Sequence, residues 1–232
     1  MDDHRVSAFF MNGVLKLTLA LAFIFAGTHF LEQSGIDFWV QGFLYTNKVW
    51  LIDGTDQTLK FFIYEGPKKL LMILCGALLI TTLIHRLLRG KQAWHGRVFF
   101  FLTCMISVPM VISLLKEVTC IYCPGQLIDF GGTHTLRPLF DFSQLPTFEG
   151  RGKCYPAGHA TAGFALMSLY YVFNRPMLRW CGLIFGVILG SILAFYQMAK
   201  GAHFLSHSLA TFGLSWVIIV GVHRISAFFN KK

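Results

Sequence analysis

The sequence predicts an all-α integral membrane protein, a six-transmembrane-helix bundle with loops gathered on one side and one further helix lying in the interface. Three observations carry this. Hydrophobic residues make up 55% of the chain and charged residues 13%, about half the charged share of an ordinary soluble domain. The mean hydropathy is +0.58. The apolar residues also fall into runs long enough to cross a bilayer, which takes roughly 20 residues of helix. A formal charge of +9 would suit a nucleic-acid binder only if the cations shared one soluble face. Here they punctuate apolar runs, so the expected partner is the bilayer and not nucleic acid.

The expected spans run from Val14 to Leu31, Leu70 to Leu88, Val98 to Leu115, Ala160 to Phe173, Trp180 to Ala199 and Leu209 to Phe229, and residues 1–232 form a single membrane domain. The fourth is short, with soft ends. Met1-Asp-Asp-His-Arg5 lacks the basic start of a cleaved signal peptide and no cleavage site follows the first apolar run, so the first span is expected to stay.

Orientation follows from the cations. With the N-terminus inside, the inner tails and tight turns hold Arg5, Lys16, Arg86, Arg89, Lys91, Arg97, Arg175, Arg179, Arg224, Lys231 and Lys232, beside only Asp2 and Asp3. Basic residues near span ends on short loops set topology, so both termini are expected in the cytoplasm and the long loops outside.

The first outward loop, from Glu32 to Lys69, alternates aromatic and polar residues, as in Asp37-Phe-Trp-Val-Gln-Gly-Phe-Leu-Tyr45. It reads as a helix in the headgroup layer, with a lipid-binding lip as the sharper alternative. Pro67-Lys-Lys69 then suits the first turn of the second span. The second outward loop, from Lys116 to Gly158, carries the Pro and Gly signals of turns and no helical period. More than 40 such residues usually mark a functional loop.

The cysteines divide by place. Cys75, Cys104 and Cys181 lie inside spans as small packing residues. Cys120, Cys123 and Cys154 lie in the outward loop, where an oxidising compartment allows a disulfide. A Cys123–Cys154 bridge would tie the start of the loop to the residue before the Pro-Ala-Gly-His turn, and Cys120–Cys154 is the alternative. Zinc held by Cys120-x-x-Cys123 lacks a suitably spaced second half of the ligand set.

Ionisable groups at the ends of hydrocarbon segments are functional, paired or badly placed. In an antiparallel bundle Lys116 ends the third span, His159 opens the fourth and His203 follows the fifth, all on one membrane face. Gly158 and Gly201 leave amides open near the histidines, a setting that holds anions. A neutral histidine can attack phosphorus, a second can protonate the leaving oxygen, and fixed cations can neutralise the charge that develops. No cofactor is needed for that chemistry.

The pieces Lys116-x6-Cys123-Pro124, Pro156-Ala-Gly-His159 and Gln197-x5-His203-x3-His207 resemble the three motifs of the type 2 phosphatidic acid phosphatase superfamily, in order, in place and in span count. The family pattern is Lys-x6-Arg-Pro, Pro-Ser-Gly-His and Ser-Arg-x5-His-x3-Asp. The resemblance implies His203 as the nucleophile that forms a phosphohistidine, His159 as general acid for the leaving alcohol, and Lys116 as a phosphate ligand, with Gly158 and Gln197 beside the phosphate.

The departures are as informative. Cys123 replaces the first arginine, Ala157 the serine, Tyr196-Gln197 the Ser-Arg pair and His207 the orienting aspartate. Lys200 is the nearest substitute for a missing cation, and Arg137, Arg151 or Lys153 could reach in from the loop. His207 has three readings: it fixes the tautomer of His203, it is a polar helix-start residue one turn on, or it binds zinc with His203, although no acid accompanies the two. The other histidines, His134 in the loop excepted, read as interfacial polar residues.

The resulting expectation is a bacterial inner-membrane phosphatase, metal-independent, acting at the periplasmic face on a lipid phosphate or pyrophosphate such as undecaprenyl pyrophosphate, lipid A phosphate or a glycerophospholipid phosphate. A phosphotransferase using the same intermediate and an inactive phospholipid-binding relative are the alternatives. Oligomeric state is left open.

Overall fold

In hydrocarbon a chain must satisfy its own backbone, so each long apolar run has to be helical. The computed structural model of this protein describes residues 3–139 and 152–229. In chain order these form α1 (Asp3–Gln33), α2 (Ile36–Leu44), a hairpin of β1 (Tyr45–Thr46) and β2 (Val49–Trp50), and α3 (Gln57–Lys60), which passes through a π turn into α4 (Gly66–Arg89). Then come α5 (Ala93–Thr119), the short α6 (Thr161–Ala165) and α7 (Leu169–Val172), α8 (Pro176–Ala199) and α9 (Leu205–Phe229).

Five segments among the described residues are long and apolar enough to cross a membrane: Gly13–Gln33, Gln57–Arg89, Trp94–Gln126, Pro176–Ala199 and Leu205–Phe228. The first two are almost wholly unburied by protein. Phe23 is 79% exposed and Leu87 85%, an arrangement stable only if lipid covers these faces. The protein is a membrane-embedded all-α bundle.

The segment expected as the fourth span, Ala160 to Phe173, departs from the expectation. It is a chain of single turns: a 3-10 turn at Gly158–Ala160, α6, a second 3-10 turn at Leu166–Ser168, and α7. Ala160, Ala165, Met167 and Ser168 are fully buried. Surrounded by α5, α8 and α9, it meets protein rather than acyl chains, so neither the length nor the continuous apolar surface of a lipid-facing helix is required of it. Gly182, Gly186 and Gly190 of α8, four apart, give it room: a Cβ at Gly186 would strike the Met167 amide, and one at Gly190 the ring of Phe164.

The outward loops are more ordered than their sequence suggests. Helix α2 is the expected interfacial helix, but its polarity runs inside out, with Asp37 and Gln41 buried against the bundle and Trp39 and Phe43 exposed. The hairpin that follows was not foreseen. Its two turn residues, Asn47 and Lys48, have φ of 52° and 64°, the left-handed pair that a two-residue hairpin turn requires. The second loop folds into 3-10 turns at Pro124–Gln126 and Ile128–Phe130. Arg151 lies outside the described residues.

The glycine face of α8 makes a testable demand. In Gly186→Ala the new methyl meets main-chain atoms of Leu166 and Met167 that cannot swing aside, and overpacking of this kind costs about 1–3 kcal/mol. The expected result is a lower midpoint in thermal unfolding of the detergent-solubilised protein. Gly221→Ala, where a Cβ meets nothing within 4 Å, serves as the control and should not lower it.

Candidate active site

Three chain segments converge at one end of the bundle. The last turn of α5 supplies Lys116, the 3-10 turn before α6 supplies His159, and the turn between α8 and α9 supplies His203, with His207 following in the first turn of α9. His159 Nδ1 and His203 Nε2 are 3.0 Å apart. His203 and His207 are buried, 1% and 4% exposed.

The turn that carries His203 is held from several sides. Gly201 has φ +76°, and a Cβ there would press into the indole of Trp50, so both the conformation and the close approach require glycine. Its carbonyl accepts from the Gly125 amide at 2.8 Å, and the Ala202 amide donates to the Gln197 carbonyl at 2.8 Å. Gln41 Nε2 donates to the Met198 carbonyl at 2.9 Å. Asp37 Oδ1 accepts from the Ser206 amide at 2.9 Å and Oδ2 from the Ser206 hydroxyl, so a carboxylate from α2 caps the helix that begins at Leu205. Burial raises the Asp37 pKa, and the two bonds from Ser206 oppose that rise.

The second motif is held as firmly. Cys154 is joined to Cys123, their Cα atoms 5.2 Å apart, and its amide donates to the Ile121 carbonyl at 2.9 Å. Cys120 is free and buried. With Cys123 in a bridge, Cys120-x-x-Cys123 is not a zinc-binding pair. Thr211 Oγ1 donates to the Ala157 carbonyl at 3.0 Å, and Thr119 Oγ1 to that of Tyr155. Gly158 lets the lysine pass, since a Cβ there would lie 3.3 Å from both Cδ and Nζ of Lys116.

Electrostatics keep the imidazoles neutral. Burial, then the charges of Lys116, Lys200 and Lys68, push His159 down to about 4. Burial, then His207, His159 and Lys116, holds His203 well below the ordinary histidine value. Lys200 is lowered by burial and by Lys60; its ammonium lies 5.2 Å from the centre of the Tyr196 ring. The site is thus a neutral histidine pair ringed by lysines, and no carboxylate figures among the groups acting on either ring.

Other expected residues fall further away. The His207 ring lies 6.1 Å from that of His203, and packs on Tyr155 and Phe204. Nδ1 of His203 and Nδ1 of His207 are buried without a hydrogen-bond partner; the backbone of Cys154 is near enough to His203 to oppose, in small part, the lowering of its pKa. Gln197 is fully buried with both amide atoms unpaired. Lys153 pairs with Glu117 at 2.6 Å, and His134 stacks on Tyr122 with ring centres 4.1 Å apart. Arg137 is half-buried on the loop.

Three contributors were not read from sequence. Asp37 and Trp50 fix the His203 turn, and Lys68 joins the cation ring. Its ammonium lies 5.6 Å from the Tyr64 ring, which in turn lies 5.3 Å from His159. Polar Asp37 and Gln41 four apart on an otherwise apolar helix were the available signal for the first. Lys68 had none, because a lysine at a span end is ordinary.

Beside the histidines opens a cavity of about 590 Å³ between α4 and α5. Lys68, Lys116 and His159 line its polar end, and Leu79, Met105 and Ile106 its apolar length. A family model described as the PAP2 superfamily matches residues 97–231, which include Lys116, His159, His203 and His207 and exclude Asp37, Trp50 and Lys68. No curated protein and no solved structure matches the chain.

The buried neutral imidazoles imply an acid-labile fold. His159 titrates near 4 when folded against an ordinary value of 6.5, and His203 is lowered too, so below about 6.5 the unfolded chain binds more protons than the folded one. Stability therefore falls as pH drops from about 6.5 towards 4. Thermal midpoints of the solubilised protein across that window should decline, and His159→Gln should flatten the slope.

Proposed function

This chain belongs to the PAP2 superfamily, whose chemistry is metal-independent hydrolysis of phosphate esters, and from that premise we propose that it dephosphorylates a membrane lipid through a phosphohistidine. The observation that carries this reading is the contact of two neutral buried histidines, of which His159 lines the cationic end of a mainly apolar groove and His203 lies directly behind it. A lipid phosphate fits both ends of that groove. A soluble phosphate ester would leave the apolar length unfilled.

In the proposed reaction the phosphoryl group enters between the two imidazoles and replaces their direct hydrogen bond. With its Nδ1–H turned to the Cys154 carbonyl, His203 presents the Nε2 lone pair and attacks phosphorus. His159, protonated, gives its proton to the leaving oxygen as the ester bond breaks, and then takes one from the water that cleaves the phosphohistidine. Lys116, Lys68 and Lys200 neutralise the charge that builds on the phosphoryl oxygens. The Cys154 carbonyl does part of the work of the family's aspartate: it sets the tautomer, without the negative charge that steadies an imidazolium.

A free His159 near 4 is a poor acid reservoir at neutral pH. The bound phosphate supplies the remedy, because its negative charge offsets the lysines that depress His159, and the ring gains a proton when substrate arrives. The substrate class we favour is a lipid phosphate or pyrophosphate, namely undecaprenyl pyrophosphate, lipid A phosphate or a glycerophospholipid phosphate. The acid-free cationic turns at the opposite end suit the cytoplasm, which puts the histidines at the periplasmic face of a bacterial inner membrane and both termini inside.

Phosphate release from a panel of these lipids in detergent tests the reading. His203→Ala should reduce turnover to background, and His159→Ala should lower it ~10²–10⁴-fold. Lys68→Ala should lower kcat/KM about 10- to 100-fold, the range for a lost hydrogen bond to a charged group. Excess chelator should change nothing. The alkaline limb of kcat should lie at higher pH than that of kcat/KM, since the former reports His159 with phosphate bound. Turnover that survives in His203→Ala removes the nucleophile assignment.

A further inference from the structure

At the end of the bundle far from the histidines lies a second pocket, of about 380 Å³, formed where α5 begins and α7 gives way to α8. Arg97 and Arg175 line it together with Asn174, and Trp94, Val98 and Leu178 supply apolar walls. The geometry points to a binding site for the headgroup phosphate of an anionic phospholipid in the opposite leaflet from the substrate.

The charge balance favours an anion. No Asp or Glu occurs between Gly66 and Lys116 or between Cys154 and Phe229, so the turns that build this pocket carry no carboxylate. Among the described residues every ion pair lies at the histidine end. Arg97 is held in place by neutral groups: it donates to Asn174 Oδ1 at 2.5 Å and to the Val172 carbonyl at 3.4 Å. Those bonds fix the guanidinium without cancelling its charge. Arg175 is exposed and stands just before α8, whose first turn has no side-chain cap and so adds the amides that follow Pro176 and the positive end of a helix dipole. Cations that served only to set topology could lie anywhere on these turns; two of them facing one concavity with hydrocarbon walls is a further arrangement.

The walls decide between a free phosphate and a lipid. Val98 and the exposed Leu178 give the pocket hydrocarbon walls, and Trp94 opens a membrane-spanning run, the place along a span that tryptophan prefers. Basic pockets between helices on the cytoplasmic side are the known setting for anionic headgroups. The occupant is therefore a phospholipid with net negative charge, such as phosphatidylglycerol.

Native mass spectrometry of the full chain, delipidated in detergent and titrated with phosphatidylglycerol or phosphatidylcholine of the same acyl chains, tests this. Phosphatidylglycerol should bind with the higher affinity, and the Arg97→Gln, Arg175→Gln double variant should lose that preference with a roughly 10- to 30-fold weaker affinity, as expected for two charges near a surface. Arg175→Gln alone, at an exposed site without a structural contact, should show part of the loss and guards against misfolding of the double variant. Arg86→Gln with Arg89→Gln, on the same end but outside the pocket, should leave the preference intact. Unchanged binding in Arg175→Gln and the double variant, an equal loss in the Arg86 and Arg89 pair, or displacement of the lipid by inorganic phosphate at matching concentration would each overturn the assignment.

Discussion

Everything at the functional end depends on keeping two imidazoles neutral at 3.0 Å. Two imidazolium ions at that distance would repel, and two free imidazoles in water would drift apart. Burial removes the proton and packing removes the drift. The lysines then serve twice: they push His159 down further, and they leave an excess of positive charge beside the pair, which is what the proposed phosphate substrate requires. A carboxylate near the pair would have undone both effects, and Asp37, the buried carboxylate among the described residues, is spent on the Ser206 amide and hydroxyl.

That constraint explains why the parts outside the matched region matter to the parts inside it. Residues 97–231 carry the histidines, but the turn bearing His203 rests on Trp50 and Asp37, which come from the chain before it. Trp50 fills the space that Gly201 vacates, and Asp37 supplies the cap that a serine or aspartate just before α9 would otherwise provide. Helix α2 can do this because Asp37 and Gln41 face the protein, with Phe38 packed beside them on Phe130 and Phe204, while Trp39 and Phe43 face out. A soluble amphipathic helix would be turned the other way. Membrane surroundings make the inverted arrangement the stable one.

Much of this was legible in the sequence, and the exceptions have physical causes. Long apolar runs announce themselves, so α4, α5, α8 and α9 were readable within a few residues, as was the end of α1, whose polar start at Asp3 lies well before the expected Val14. Short turns packed wholly inside protein do not, because composition cannot tell a lipid-facing helix from a buried chain of turns; α6 and α7 therefore read as one span. His159 and His203 stood out as ionisable groups amid hydrocarbon. Lys68 did not, since its part depends on Tyr64 lying between it and His159, a contact made by tertiary packing. The hairpin at Asn47 and Lys48 lacked the Asn-Gly signal that marks such turns.

The altered motif positions are better understood as a set than as four losses. Replacing the family's aspartate by His207 takes away a charge that would steady an imidazolium, and replacing two arginines removes cations that would attract phosphate. A carboxylate at residue 207 would also make the neutral pair harder to maintain among fewer cations. Lys68 and Lys200 restore positive charge from other elements, as point charges rather than planar forks, which favours charge neutralisation over bidentate geometry. Cys123, standing where the first arginine belongs, forms the bridge to Cys154 and so fixes the main chain that leads into the Pro156-Ala-Gly-His159 turn. On the proposed function, the substitution that removes one cation also anchors the segment leading into the second motif, so these changes are coherent as a set.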